Sequence, residues 1–288
     1  GEADRFMADP SPPVADLTGK WETYFLEEGD SSLAIGLFEQ QGTSVQGTFL
    51  TPTGDYRYLE GVMDGDRLML SAFDGEHAYL FKAVVSEAGK LEGDFWSGKS
   101  WHQRWHARKN DAVTLPDPYT LTYLREGYQT IDFTLPDMEG RLISLSDDRF
   151  RDQVVVVQIF GTWCPNCMDE TRFLADWYRR NRDRGVEIVA LAFERKNDLE
   201  YASQRIGRMK ERFDIGYDFL FAGPASKTHA SGVLPMLNRV ISFPTLIIID
   251  RKGNVRDIHT GFSGPGTGVY YERFVEEFNL LMDKLLTE

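Results

Sequence analysis

"QVVVVQIFGTWCPNCMDETRF", Gln153 to Phe173, runs an apolar stretch of strand length into two cysteines and then into a helical pattern. Four valines and an isoleucine bounded by a glycine read as a buried strand. Cys164 then opens a helix whose text, "MDETRFLADWYRRNRDRG", is amphipathic and ends at Gly185. The first turn of a helix offers unpaired backbone N–H groups and the positive end of the peptide dipoles, and both stabilise a thiolate. Cysteines so placed have pKa values lowered to about 3.5–7.5, against about 8.5 when free. Thiolate is the attacking species, so Cys164 is the nucleophile, and Cys167, one turn along, is placed to resolve a mixed disulfide. Pro165 suits the first helical turn, where its missing N–H is not needed.

These two cysteines are the only ones among 288 residues. A structural zinc site takes four ligands, and one C-x-x-C supplies two. A staple closing so short a loop constrains little of the unfolded chain. Against these, and against a chance pairing of two cysteines near a strand-to-helix junction, the context favours redox chemistry.

Outward from this stretch, strand and helix patterns alternate, which signals an α/β domain with a mixed sheet. "VEIVALAFE" is the next strand, followed by a helix from about Asp198 to Phe213. "YDFLFAG", "FPTLIIID" and "NVRDIHTG" are further strands, and "YYERFVEEFNLLMDKLL" is a closing helix with Phe274, Phe278, Leu281 and Leu285 on one face. Glu170 lies three residues beyond Cys167 on the same helical flank, either as a proton partner of the resolving thiol or as a solvated surface carboxylate.

The N-terminal text has a different period. From Lys20 to about Lys109, short alternating runs follow one another, separated by Glu28-Gly29-Asp30, Thr53-Gly54-Asp55, Asp64-Gly65-Asp66 and Asp74-Gly75-Glu76. Asp-Gly pairs favour tight hairpin turns. An up-and-down antiparallel sheet of about eight strands, flat or curled into a barrel, is expected. Trp21, Phe25, Phe38, Phe49, Tyr58, Phe73, Phe81, Phe95, Trp101 and Trp105 are read as its core. His102 and His106 share a strand face, with no carboxylate or cysteine nearby in sequence to complete a metal site. The division read is a flexible segment over 1–16, an all-β domain over 17–110, a Pro-containing linker over 111–126 and an α/β domain over 127–288.

Charge narrows the partners. A formal net charge of −13 argues against nucleic acid or an acidic membrane surface. No apolar run approaches the roughly 18 residues of a membrane span. A chain that opens on Gly1 with a polar, Pro-containing stretch fits an exported product whose leader has been removed.

"FTLPDMEGRLISLSD" (Phe133 to Asp147), "FGTWCPNCMDE" (Phe160 to Glu170) and "FPTLIIIDRKGNV" (Phe243 to Val255), in this order, resemble the TlpA/ResA-type thioredoxin-like proteins. The resemblance covers about Gly127 to Glu288, and Tyr217 to Leu237 resembles the strand and helix inserted in that family. It implies an exported thiol:disulfide reductase, periplasmic or membrane-anchored, that acts on protein disulfides and draws electrons from a membrane or periplasmic donor. No cofactor is implied beyond a redox-active Cys164–Cys167 disulfide, and no metal. Glu170 occupies the family's proton-handling position. Pro244 takes the place of a cis-proline lying against the cysteines, and Trp163, Pro165, Phe243 and Pro244 then shape the substrate groove. Two departures stand out: Gln158 replaces the buried aspartate of thioredoxin itself, and Phe243 stands where a small or β-branched residue is usual. Its bulk is expected to narrow or redirect substrate choice.

Two other functions fit parts of the chain. "FTLPDMEG" also occurs in peroxiredoxin-like thiol peroxidases, but the proline and threonine spacing those enzymes place before their cysteine is missing around Thr162. The β half, whose "LTGKW" (Leu17 to Trp21) weakly resembles lipocalin and avidin barrels, could instead be an adaptor that captures a ligand or partner for the redox half.

Overall fold

The computed structural model describes residue 6, residues 9–73, residue 75 and residues 77–288. The chain divides into two compact units. The first takes the described residues up to Leu115 together with Ser263–Tyr271, and the second takes Pro116–Phe262 with Glu272–Glu288. The stretch 263–271, which the sequence places inside the α/β domain, therefore clusters with the β unit.

The first unit is built from β1 (Gly19–Glu27), β2 (Asp30–Gln41), β3 (Ser44–Thr51), β4 (Gly54–Asp55), β5 (Leu59–Asp64), β6 (Arg67–Phe73), β7 (Ala78–Val85), β8 (Leu91–Ser97) and β9 (Trp101–Lys109). They form one sheet in the order β2-β1-β9-β8-β7-β6-β5-β3-β4, and the β2–β3 pairing closes it into an eight-stranded barrel with two-residue β4 appended. Every pairing is antiparallel. Gly29 and Gly65 take positive φ in the hairpins after β1 and β5, which a side chain would resist. Of the Asp74-Gly75-Glu76 turn, Asp74 and Glu76 lie outside the described residues, as do residues 1–5, 7 and 8 of the N-terminal segment.

Seven of the ten aromatics read as core are buried: Trp21, Phe25, Phe38, Phe49, Phe81, Phe95 and Trp105. Their rings fill the barrel, with Phe81 and Phe95 stacked at 4.3 Å and Phe49 4.7 Å from Phe81. Tyr58, Phe73 and Trp101 are instead exposed by 57%, 74% and 54%. Leu68, Leu70 and Ala72 face inward on β6, so Phe73 points out by strand alternation. Tyr58 precedes inward Leu59, and Trp101 stands at the first position of its strand. His102 does meet a carboxylate, Asp94 on β8, at 2.8 Å. No group of metal-ligating side chains forms among the described residues.

The second unit carries a small hairpin, β10 (Thr134–Pro136) with β11 (Leu142–Ser144), and the strands β12 (Val154–Phe160), β13 (Val186–Glu194), β14 (Asp218–Pro224), β15 (Thr245–Ile249) and β16 (Val255–Thr260). The sheet order is β14-β13-β12-β15-β16. β12, β13 and β14 run parallel, while β15 and β16 are antiparallel to their neighbours. Central β12 is buried at every residue, as its continuous apolar text requires. The helices are α1 (Pro165–Asn181), α2 (Leu199–Phe213), α3 (Lys227–Val233) and α4 (Val269–Thr287). β14 and α3 make up the segment read as an insertion, and β14 is one of the sheet's two edge strands. On α4 the buried stripe is Phe274, Phe278, Met282 and Leu285. Met282, four residues from Phe278, replaces the expected Leu281, which is only half-buried at the edge of the face. No helix among the described residues is long and apolar enough to cross a membrane.

Candidate active site

The site is made where β12 hands the chain to α1. Cys164 is the N-cap of α1 and is joined to Cys167 by a disulfide, with Cα atoms 5.2 Å apart. The Cys167 N–H points at Cys164 Sγ, 3.2 Å away, so one free donor of the first turn is aimed at this sulfur. Cys164 is 5% exposed and Cys167 is fully buried. Of the two cysteines, only Cys164 has exposed surface. Pro165 occupies the first helical position, half-buried.

Across from the pair, the Phe243–Pro244 peptide bond is cis. Phe243 O stands 3.3 Å from Cys164 Sγ, and Pro244 is buried. The Phe243 ring packs edge-on against Trp163 at 5.6 Å and tilted against Phe193 at 5.6 Å, while its backbone carbonyl faces the sulfur. Trp163 in turn donates its indole N–H to Phe193 O at 2.9 Å.

Glu170 lies behind the cysteines on the buried face of α1, with no exposed surface. Gln158 on β12 donates its side-chain amide to Glu170 Oε2 at 2.8 Å, and Thr171 donates its hydroxyl to Gln158 Oε1 at 3.2 Å. Glu170 Oε1 has no hydrogen-bond partner among the described residues. Burial pushes the carboxyl up to about 8, and the Gln158 bond offsets only part of that cost. A carboxyl held near neutrality, one helical turn from the inner cysteine, can take up or return a proton.

A model of the Redoxin family matches residues 125–271. The chain belongs to the Redoxin family. Among its relatives, the thiol-disulfide oxidoreductase ResA of Halalkalibacterium halodurans is 29% identical over 154 residues, covering 54% of this chain and 75% of the relative. ResA of Geobacillus thermodenitrificans is 31% identical over 140 residues, covering 49% of this chain and 72% of the relative. Among solved structures, a thiol:disulfide interchange protein of the thioredoxin family from Chlorobium tepidum is 19% identical with a TM-score of 0.41, covering 56% of this chain and 98% of that one. This redoxin is a thiol-disulfide oxidoreductase of the TlpA/ResA type, and its α/β unit is thioredoxin-like.

Several of the redoxin's site residues are not apparent from spacing alone. Gln158, noted as a departure from thioredoxin, is the partner of Glu170. Gly161 is required by crowding, since a Cβ there would sit 2.3 Å from Trp163 Nε1 and 2.7 Å from Phe193 O. Asn166 donates to Phe262 O at 3.1 Å, tying the start of α1 to the segment after β16. Glu194, fully buried at the end of β13, holds Thr162. The one sequence signal for this last residue is a carboxylate that directly follows the apolar run Ile188 to Phe193.

Proposed function

We propose that this redoxin is an exported reductase of protein disulfides, working in the periplasm or from a membrane anchor facing it. The observation that carries the reading is Cys164 Sγ, at the start of α1, standing 3.3 Å from Phe243 O. An extended substrate laid along the Phe243 backbone brings its own disulfide to that sulfur. Trp163 and Pro244 wall the groove, and Pro165 sets the turn beneath it.

In the reduced enzyme the Cys164 thiolate attacks one sulfur of the substrate disulfide. A new S–S bond forms between enzyme and substrate, and the other substrate sulfur leaves as a thiolate that takes a proton from solvent. Cys167 then gives its proton to the Glu170 carboxylate and attacks Cys164 Sγ. The intramolecular disulfide forms and the second substrate thiol departs, taking the proton. The substrate has gained two electrons, one proton from solvent and one from Cys167, and the enzyme has lost two electrons and the Cys167 proton. A dithiol donor at the membrane or in the periplasm restores the pair by the reverse exchange: its first thiol gives a proton to Glu170 and attacks Cys164 Sγ, Cys167 departs with the proton from Glu170, and the donor's second thiol, losing its proton to solvent, releases Cys164 as the thiolate.

Insulin reduction followed by turbidity tests this. Cys164→Ala is expected to abolish turnover, and Cys167→Ala to accumulate a mixed disulfide visible on a non-reducing gel. Turnover that persists in Cys164→Ala refutes the proposal.

A further inference from the structure

The mechanism leaves one buried carboxylate beside the active-site loop without a role. Glu194 ends β13 with no exposed surface. Both of its oxygens are engaged by one residue: Thr162 N donates to Oε1 at 2.8 Å and Thr162 Oγ1 donates to Oε2 at 2.8 Å. Arg205, on α2, donates its Nε–H to the same hydroxyl at 2.7 Å. The hydroxyl has one proton, given to Glu194, and a lone pair, given to Arg205, so its orientation is fixed from both sides. Burial raises the Glu194 carboxyl, while the two bonds from Thr162 and the charges of Arg205 and Arg195 act in the opposite direction.

The position of this network matters. Thr162 is two residues before Cys164, and the intervening Trp163 is held by Phe193 O, the neighbour of Glu194. Two successive residues at the end of β13 therefore grip two successive residues of the loop. Gly161 O accepts the Cys164 N–H at 3.1 Å, which passes that constraint on to the cysteine. Glu194 is itself anchored, because Ala225 N donates to its backbone carbonyl at 2.7 Å.

We propose that Glu194, Thr162 and Arg205 form a positioning clamp that holds the backbone entering α1 so that Cys164 Sγ faces Phe243 O. They are positioning residues and touch no reacting atom. The proposal rests on the reading of Cys164 as the nucleophile. Thiol–disulfide exchange needs three sulfurs in line, and a displacement near 1 Å can cost about a hundredfold in rate. A loop freed from its clamp is expected to lose part of that range, in the chemical step rather than in substrate binding.

The test compares Thr162→Val, which keeps the branched shape without the hydroxyl, with Thr162→Ser, which keeps both bonds. Glu194→Gln, which cannot accept at both atoms, and Arg205→Gln, on the more exposed partner, complete the set. With insulin as substrate, Thr162→Val and Glu194→Gln are expected to lower kcat by about tenfold with KM nearly unchanged. The double variant is expected to lose little more than either single one, because all three side chains act as one unit. Thr162→Ser should stay within about twofold of the parent, and Arg205→Gln should fall by about threefold. Should Glu194→Gln fail to fold, Arg205→Gln and the Val/Ser pair decide alone. Unchanged kcat in folded Thr162→Val, or losses that multiply in the double variant, would overturn the clamp. Cys164→Ala is measured alongside. Its loss of turnover beside an unaffected Thr162→Val refutes the clamp alone, and its persistence refutes the nucleophile assignment.

Discussion

At the scale of single residues, Glu170 carries the most information about how this enzyme handles protons. Its carboxyl sits at about 8 in the folded protein against 4.5 for the ordinary side chain, because burial penalises the charge. Between those two values the folded chain holds a proton that the unfolded chain has released. Stability therefore falls as pH rises from about 4.5 to about 8, and changes no further above that. At pH 7 the cost is about 3 kcal/mol. Glu170→Gln is expected to remove this slope and raise stability above pH 6, as read by urea unfolding across pH 5–9. The same variant should turn over more slowly, because no carboxylate remains to receive the Cys167 proton. A variant whose stability keeps the parental pH slope would place the titration elsewhere. Phe243 packs its ring against Trp163 and Phe193, and turnover of protein disulfides by Phe243→Thr measures what that bulk contributes to substrate choice.

At the scale of elements, the junction between β12 and α1 does the positioning. The strand is buried throughout and cannot slide without exposing apolar side chains. The chain must then turn within Gly161-Thr162-Trp163 to bring Cys164 to the helix start. Gly161→Ala is expected to cost about 1–3 kcal/mol and to loosen Trp163, since the added methyl meets the indole nitrogen and the Phe193 carbonyl. A lower thermal midpoint and reduced insulin turnover would register both effects. α2, which carries Arg205 of the clamp, starts at Asp198, whose carboxylate accepts from Tyr201 N at 3.1 Å. Removing such a cap costs about 1 kcal/mol, so Asp198→Ala should lower the urea midpoint by that equivalent without changing the slope.

At the scale of the whole molecule, two units have their own cores. The aromatic cluster inside the barrel is drawn from Leu17 to Ala107, and the α/β cluster from Ile131 to Ile258. A protein lacking residues 1–115 keeps the five-stranded sheet and the disulfide, and is expected to reduce a small aromatic disulfide within about threefold of the parent. Its Ser263–Tyr271 stretch loses the barrel residues it packs with, among them Asp55, which accepts from Gly264 N at 2.7 Å, so the thermal midpoint should fall. If activity on protein disulfides disappears while the small disulfide is still reduced, the barrel serves recognition.

Much of this was legible in the chain itself, for physical reasons that act locally. Period-two alternation broken by Asp-Gly turns defines a meander of strands, and its length accounts for about eight of them. A continuous apolar run ending in Gly-x-x-Cys-Pro-x-Cys defines a buried strand delivering thiols to a helix start. Tertiary structure alone decided the rest, because it depends on which distant groups meet in space. Closure of the barrel required β1, the first strand, to find β9, the last, with Trp21 opposite Lys109. Leu281 gave way to Met282 because the neighbours of α4, rather than its own spacing, decide which side chains are covered. Gln158 became the partner of Glu170 because α1 lays its buried face on β12, and Glu194 the holder of Thr162 because the loop after β12 passes the end of β13; in a dry interior each polar group must find a bond. The sequence by itself determined that two cysteines would sit at the head of a helix. Only the packed sheet beneath them decided which carboxyl lies buried on Gln158 behind the cysteines and which one bonds Thr162 in the loop, since burial and hydrogen bonding depend on neighbours distant in the chain.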